Sequence, residues 1–137
     1  MDLSIIDHDY DYIIFSDCLE HLINPDLALI KIRQLLKKDG GLLISIPNVQ
    51  NFRITIPLLF KGSWEYTDEG LMDRTHLRWF TYSSIVSLIN KSGFNVESVA
   101  RELPISSLSG LINILFFNLL KNHLTSHFYI KACLAEY

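Results

Sequence analysis

The chain has 137 residues, 49% of them hydrophobic and 20% charged, a balance that supports one folded domain and excludes intrinsic disorder. Twelve basic against fifteen acidic residues leave a net charge of −3, which supplies no electrostatic footprint for a nucleic-acid backbone. Cys18 and Cys133 lie far apart within apolar surroundings, so they do not form a disulfide framework and they suit a reducing, cytoplasmic setting.

The opening residues MDLSIIDHDYDY carry no positive region ahead of an apolar one and do not read as a secretory signal. Residues 12–15 (YIIF) form a short apolar run closed by Ser16 and Asp17, the pattern of a parallel strand buried on both faces. Asn24 is placed to cap a helix, Pro25 to open it and Asp26 to favour its positive end. Ala28, Ile32, Leu35 and Leu36 recur at helical spacing, with Lys37 and Lys38 in the last turn and Gly40 as the left-handed stop. Gly41 leads into a second apolar strand over 42–46 (LLISI), ended by Pro47 and Asn48. Strand, helix, strand with short connections is a right-handed crossover between parallel strands, so the class is α/β.

Residues 49–80 show little sustained periodicity, and a connection of that length reads as a lid or binding segment. Thr81 caps a helix running to about Lys91, with Gly93 as its stop. Residues 94–103 alternate as a strand, with Phe94, Val96 and Ala100 on one side and Asn95, Glu97 and Arg101 on the other. An apolar helix follows over about 107–122, and its most apolar part, 111–120, is about half the length that spans a bilayer. That helix can serve as core, partner interface or a lip over a greasy substrate. Residues 128–135 alternate again, and the two late strands should pair antiparallel at one edge of the sheet.

Two segments carry chemistry. At the carboxyl end of the first strand, where ligands bind in open α/β sheets, Asp17, Glu20 and His21 fall within one turn of one another. The trio suits a divalent ion or a general base, and equally suits loop capping that ties the strand to the next helix. In MDRTHLRWFT (72–81), an extended reading puts Arg74, His76 and Arg78 on one face beside Trp79. Such a stripe can hold an anionic group, or its arginines can pair with Asp68, Glu69 and Asp73 as a solvated edge.

The ordered set YDYIIFSDCLEHLINPDLALIKIRQLLKKDGGLLISIPNV, followed by THLRWFT and a helix ending in SGF, resembles the second half of class I S-adenosylmethionine-dependent methyltransferases of the small-molecule type. The likeness covers about residues 2–101. It implies a partial Rossmann-like sheet whose strands are equivalent to the fourth, fifth, sixth and seventh of seven, the seventh inserted antiparallel. It also implies that the whole of 1–137 is one truncated domain, with 49–80 as a substrate-side insertion and the first half of the fold missing. The chain contains no G-x-G turn, the element with which the family cradles its cofactor.

What the resemblance carries over is residue-specific. Asp2 matches the acid that approaches the adenine of S-adenosylmethionine, and Ser16 and Asp17 match the motif facing the transferred methyl. Asp17, Glu20 and His21 match an acid, acid, histidine set that quinone-biosynthesis O-methyltransferases associate with a divalent metal such as magnesium. Pro47, Asn48, Arg74, His76 and Arg78 fall on the substrate side. The implied activity is methyl transfer to a small molecule, with His21 and Asp17 as catalytic groups. The strand at 12–15, left without its neighbour, implies a homo-oligomer or a missing amino-terminal half as partner. Two other readings compete: an inactive half-domain that binds a partner, and a metal-dependent hydrolase built on the trio.

Overall fold

A computed structural model describes residues 9–103 and 120–135. Asp2 and almost all of the helix expected over 107–122 lie outside the described residues. The elements run β1 (Tyr10–Ser16), a 3-10 turn (Leu19–His21), α1 (Pro25–Arg33), β2 (Leu36–Pro47), α2 (Phe52–Lys61), α3 (Tyr82–Lys91), β3 (Phe94–Arg101), α4 (Lys121–Leu124) and β4 (His127–Leu134). The sheet order is β1-β2-β4-β3. β1 and β2 are parallel, and β4 is antiparallel to both of its neighbours. This is the arrangement that the family resemblance implies, the last strand slotting between the second and third. No described helix is long and apolar enough to cross a membrane.

α1 opens on Pro25 as expected but stops at Arg33, a full turn short of the expected end. Gln34 and Leu35 close it with tighter bonds to the Lys31 and Ile32 carbonyls, and Leu36, Lys37 and Lys38 already belong to β2. Gly40 and Gly41 are therefore strand residues and not a helix stop. Over 36–41 the register jumps, from Tyr10 opposite Leu36 to Tyr12 opposite Gly41. A Cβ on Gly40 would lie 2.9 Å from the Lys37 carbonyl, and one on Gly41 would lie 2.6 Å from the Tyr12 ring. The two glycines let β1 and β2 close on each other where the ladder is irregular.

β3 departs from strict alternation. Its pairing with β4 shifts between Val96 and Ser98, so Glu97 is a bulge. Before it Phe94 and Val96 face inward; after it Val99 and Arg101 do, and Ala100 is exposed. Arg101 lands with its guanidinium 4.8 Å from the centre of the Tyr82 ring, a cation–π contact that the expected outward face would have denied it.

One face of the sheet is covered. Leu42, Ile44 and Ile46 of β2 and Phe128, Ile130 and Ala132 of β4 pack with Leu29 and Ile32 of α1 and Ile85 and Ile89 of α3. The other face carries Ile14, Leu43, Ser45, Tyr129 and Lys131 around a shallow depression. β1 was expected to be buried on both sides; instead Ile13 and Phe15 are half-buried and Ile14 is 68% exposed, because no described element packs over it.

Within 49–80 the structure adds a helix that the sequence reading passed over. Asn51 caps α2 by accepting from the Arg53 amide, and Gly62 ends it in the left-handed conformation. α3 begins as expected, with a reciprocal box in which the Ser84 amide donates to Thr81 and the Thr81 amide to Ser84. Replacing the fully buried Phe128 by alanine should cost about 3–5 kcal/mol in urea unfolding, and Thr81→Ala about 1 kcal/mol.

Candidate functional site

The site begins where β1 ends. Asp17 turns the chain with φ of +45°, a left-handed conformation that aspartate tolerates better than most side chains. β2 holds it there: the Asp17 amide donates to the Ser45 carbonyl, and the Ser45 hydroxyl donates to Asp17 Oδ1 at 2.9 Å. The 3-10 turn then buries Leu19 and Glu20 completely and leaves His21 at the surface. The long connection closes over this turn. The amides of Leu77 and Arg78 both donate to the Glu20 carbonyl, at 2.8 and 2.9 Å.

That closure brings His76 to Glu20, with Nε2 4.0 Å from Oε1, and stacks the His76 ring edge-on to His21 at 4.9 Å. One ligand atom from each of Glu20, His21 and His76 lies within 4.8 Å of the other two. Among the described residues Glu20 has no hydrogen-bond partner on either carboxylate oxygen, and His76 Nδ1 has none. Burial pushes the Glu20 carboxyl up to about 7, helped by the charge of Asp17 and opposed by its own backbone and by His21. Burial, and then His21, pulls the His76 imidazole below the usual histidine range. Trp79 stacks edge-on to His76 and to Trp64, forming an aromatic wall behind the pair.

His21 is oriented by the same connection. Its Nδ1 lies 3.2 Å from the Thr75 carbonyl, which can only accept, so the neutral ring carries its proton there. The Thr75 hydroxyl gives its own proton to Asp73 at 2.6 Å and lies 3.1 Å from the same nitrogen. Nε2 is left with its lone pair. The two bonds from Thr75 hold the Asp73 carboxyl below the usual carboxylate range.

Asp17, Glu20, His21, Pro47, Gly70, Asp73, His76 and His127 line a pocket of about 250 Å³ beyond the carboxyl ends of β1 and β2. Of the residues singled out from the sequence, Asp17, Glu20, His21, Pro47 and His76 meet there. Asp17 stands apart from the Glu20–His21–His76 cluster, turned toward Ser45 and His127. Ser16 is exposed beside the open sheet face. Asn48 is buried and fully engaged: its amide donates to the Asn122 and Thr125 carbonyls and its oxygen accepts from the Gln50 amide. Arg74 pairs with Asp68 at the surface, and Arg78 donates to the carbonyls of Ile23 and Leu77. The expected cationic stripe is thus dispersed, because the chain turns at 70–75 and the period-two reading does not apply.

Sequence reasoning missed His127 and Glu102. His127 opens β4 opposite Pro47, and its Nδ1 lies 3.0 Å from Glu102 Oε2. The signal was the last alternating strand, whose first residue must fall beside Pro47 once β4 is slotted next to β2. For Glu20, the raised carboxyl means that the folded chain holds a proton which the unfolded chain releases above about 4.5. Its contribution to stability should be full at low pH and fall by up to about 3 kcal/mol as pH rises to about 7. Glu20→Gln should flatten that slope in urea titrations at pH 5 and pH 8 with chelator present.

Comparison with known proteins agrees with this architecture. A family model described as a methyltransferase domain matches residues 7–99. No curated protein matches the chain. Among solved structures, an S-adenosylmethionine-dependent methyltransferase from Archaeoglobus fulgidus is similar with a TM-score of 0.67 and 17% identity, over 95% of this chain and 62% of that one. One from Thermotoga maritima, described as a possible histamine N-methyltransferase, gives 0.63 and 16% over 96% and 59%. The 1,6-didemethyltoxoflavin-N1-methyltransferase of Burkholderia thailandensis, solved with its substrate and S-adenosylhomocysteine, gives 0.57 and 15% over 99% and 49%. The chain thus spans about half to three fifths of the length of these three structures. With more than half of its residues matched by the family model and its sheet laid out as in these enzymes, the chain belongs to the methyltransferase-domain family.

Proposed function

We propose that this chain supplies the acceptor side of an S-adenosylmethionine-dependent methyl transfer to a small molecule in the cytoplasm, with 49–80 as the segment that covers the acceptor. The observation that carries this reading is the polar pocket beyond the carboxyl ends of β1 and β2, in a chain of this family. When bound, S-adenosylmethionine supplies an electrophilic methyl on a positively charged sulfur. The pocket fits that charge: it is lined by Asp17 and Asp73, and none of the described residues lining it is a lysine or arginine. His21, its proton fixed on Nδ1, presents Nε2 to accept the proton of an attacking hydroxyl or amine. Asp17, anchored on Ser45, lines the same pocket and adds a carboxylate to its wall. Trp79 packs against His76 behind the pocket, with Trp64 edge-on to it.

In an alternative arrangement, with His21 Nε2 as a ligand instead of a base, the unpaired buried carboxylate of Glu20 fits a divalent ion, which Glu20, His21 and His76 would hold in place of the Asp17, Glu20, His21 set. One carboxylate and two imidazoles suit a borderline metal better than magnesium. Such an ion would polarise an acceptor oxygen.

In the assembled enzyme, His21→Ala and Asp17→Ala should each lower methyl transfer by about 10²-fold with urea unfolding otherwise unchanged. Full activity in both variants would reduce the pair to a capping arrangement. The outer edge of β1, unpaired among the described residues and with Tyr12 and Ile14 exposed, is a template for strand pairing and supports an assembly through it. Light scattering at micromolar concentration should give more than monomer mass, and Ile14→Lys should lower it.

A further inference from the structure

Facing the His21 side of the pocket stands a second imidazole, held in the same way. The β3–β4 ladder ends with Arg101 opposite Phe128, so Glu102 and His127 are the next facing pair. The Glu102 amide donates to the His127 carbonyl, and the Ser126 hydroxyl donates to Glu102 Oε2 at 2.7 Å. That bond, more than the neighbouring imidazole, keeps the Glu102 carboxyl below the usual carboxylate range. A carboxylate can only accept, so the Nδ1 contact of 3.0 Å puts the proton of the neutral His127 ring on Nδ1, with the lone pair on Nε2. Nε2 lies 4.0 Å from Asp17 Oδ1, on the pocket.

The two histidines are therefore mirror cases. Each spends its N–H outside the pocket, His21 on Thr75 and His127 on Glu102, and each keeps an acceptor nitrogen for the pocket. The remaining polar side chains there are the carboxylates of Asp17, Asp73 and Glu20, and Glu20 is fully buried with both oxygens unpartnered. With both of these rings neutral, and apart from a proton on Glu20 and the N–H of His76, the described side chains lining this pocket accept hydrogen bonds and do not donate them. Such a lining leaves its own lone pairs unsatisfied unless the ligand brings the protons.

We infer that the pocket selects an acceptor that donates hydrogen bonds and carries no negative charge, a hydroxyl-rich or amine-bearing group, and that His127 contacts it with Glu102 as the positioning residue. This rests on the methyl-transfer reading for the identity of the ligand as an acceptor, but the recognition itself is a property of the chain alone. A phosphate or carboxylate would meet Asp17 and Asp73 with no lysine or arginine among the described lining residues to compensate.

The test uses the chain labelled with ¹⁵N-histidine and no cofactor. Glycerol, ethanolamine and inorganic phosphate are titrated in separate arms while the ring resonances of His21 and His127 are followed. The free protein should show both rings with the proton on Nδ1. Glycerol or ethanolamine should shift both Nε2 signals, and phosphate should not; which of the first two acts separates a hydroxyl from an ammonium ligand. In Glu102→Ala, whose backbone bonds are unaffected, the His127 ring should lose its fixed tautomer. Its response should weaken about tenfold while that of His21 persists. A phosphate response equal to that of the donor probes, no response to either donor, or an unchanged His127 signal in Glu102→Ala would each overturn the inference. Failure of methyl transfer in the assembled enzyme would leave these spectra as they are, so the two readings fail separately.

Discussion

Two backbone amides, those of Leu77 and Arg78, converge on the carbonyl of Glu20, and the candidate site depends on that convergence. Without it the 3-10 turn after β1 would be an open loop and Glu20 a solvated carboxylate. With it the connection 62–80 lies across the strand end and carries in His76 and the Thr75 group that orients His21. Arg78 adds a second tie, to the Ile23 carbonyl beyond the turn. A residue that reads in sequence as a charged site group is thus held first of all by its peptide group, and its side chain is buried as the consequence.

Burial without a partner is costly for a carboxylate, and the chain meets the cost by letting Glu20 keep its proton to about pH 7. The same desolvation disfavours the charged form of His76. Around this pair the ionised groups are arranged at the rim. Asp17 is fixed to Ser45, Asp73 to Thr75 and Glu102 to Ser126, each by a hydroxyl that spends its proton on the acid. Serines and threonines here act as holders of acids, and the acids or their holders in turn set the histidines.

The α/β class, the crossover from β1 to β2, the Thr81 cap and the antiparallel late strands were legible because each rests on local pattern. The end of α1 was not. Leu35 and Leu36 continue the helical period, but pairing of Leu36 with Tyr10 outweighs it. The site was half legible for a similar reason. Asp17, Glu20 and His21 are neighbours in sequence, yet the left-handed turn at Asp17 sends it toward β4 while the other two enter the cluster. His76 was noticed for the wrong company, since a turn at 70–75 separates it from Arg74 and Arg78. Glu102 and His127 lie more than twenty residues apart and meet only through the order β2-β4-β3.

The bulge at Glu97 has a bearing on how this sequence can change over generations. A strand reads its two faces in alternate residues, so the bulge decides the parity of all that follows in β3. It is the reason that Arg101 meets Tyr82 and Phe128 while Glu102 falls to the side of His127. Loss of a single residue between 95 and 98 would exchange those roles, pressing a carboxylate toward the apolar layer and pulling an arginine from its ring. A one-residue insertion or deletion in β3 would therefore keep both the core and the pocket only if the bulge moved along the strand to restore the parity.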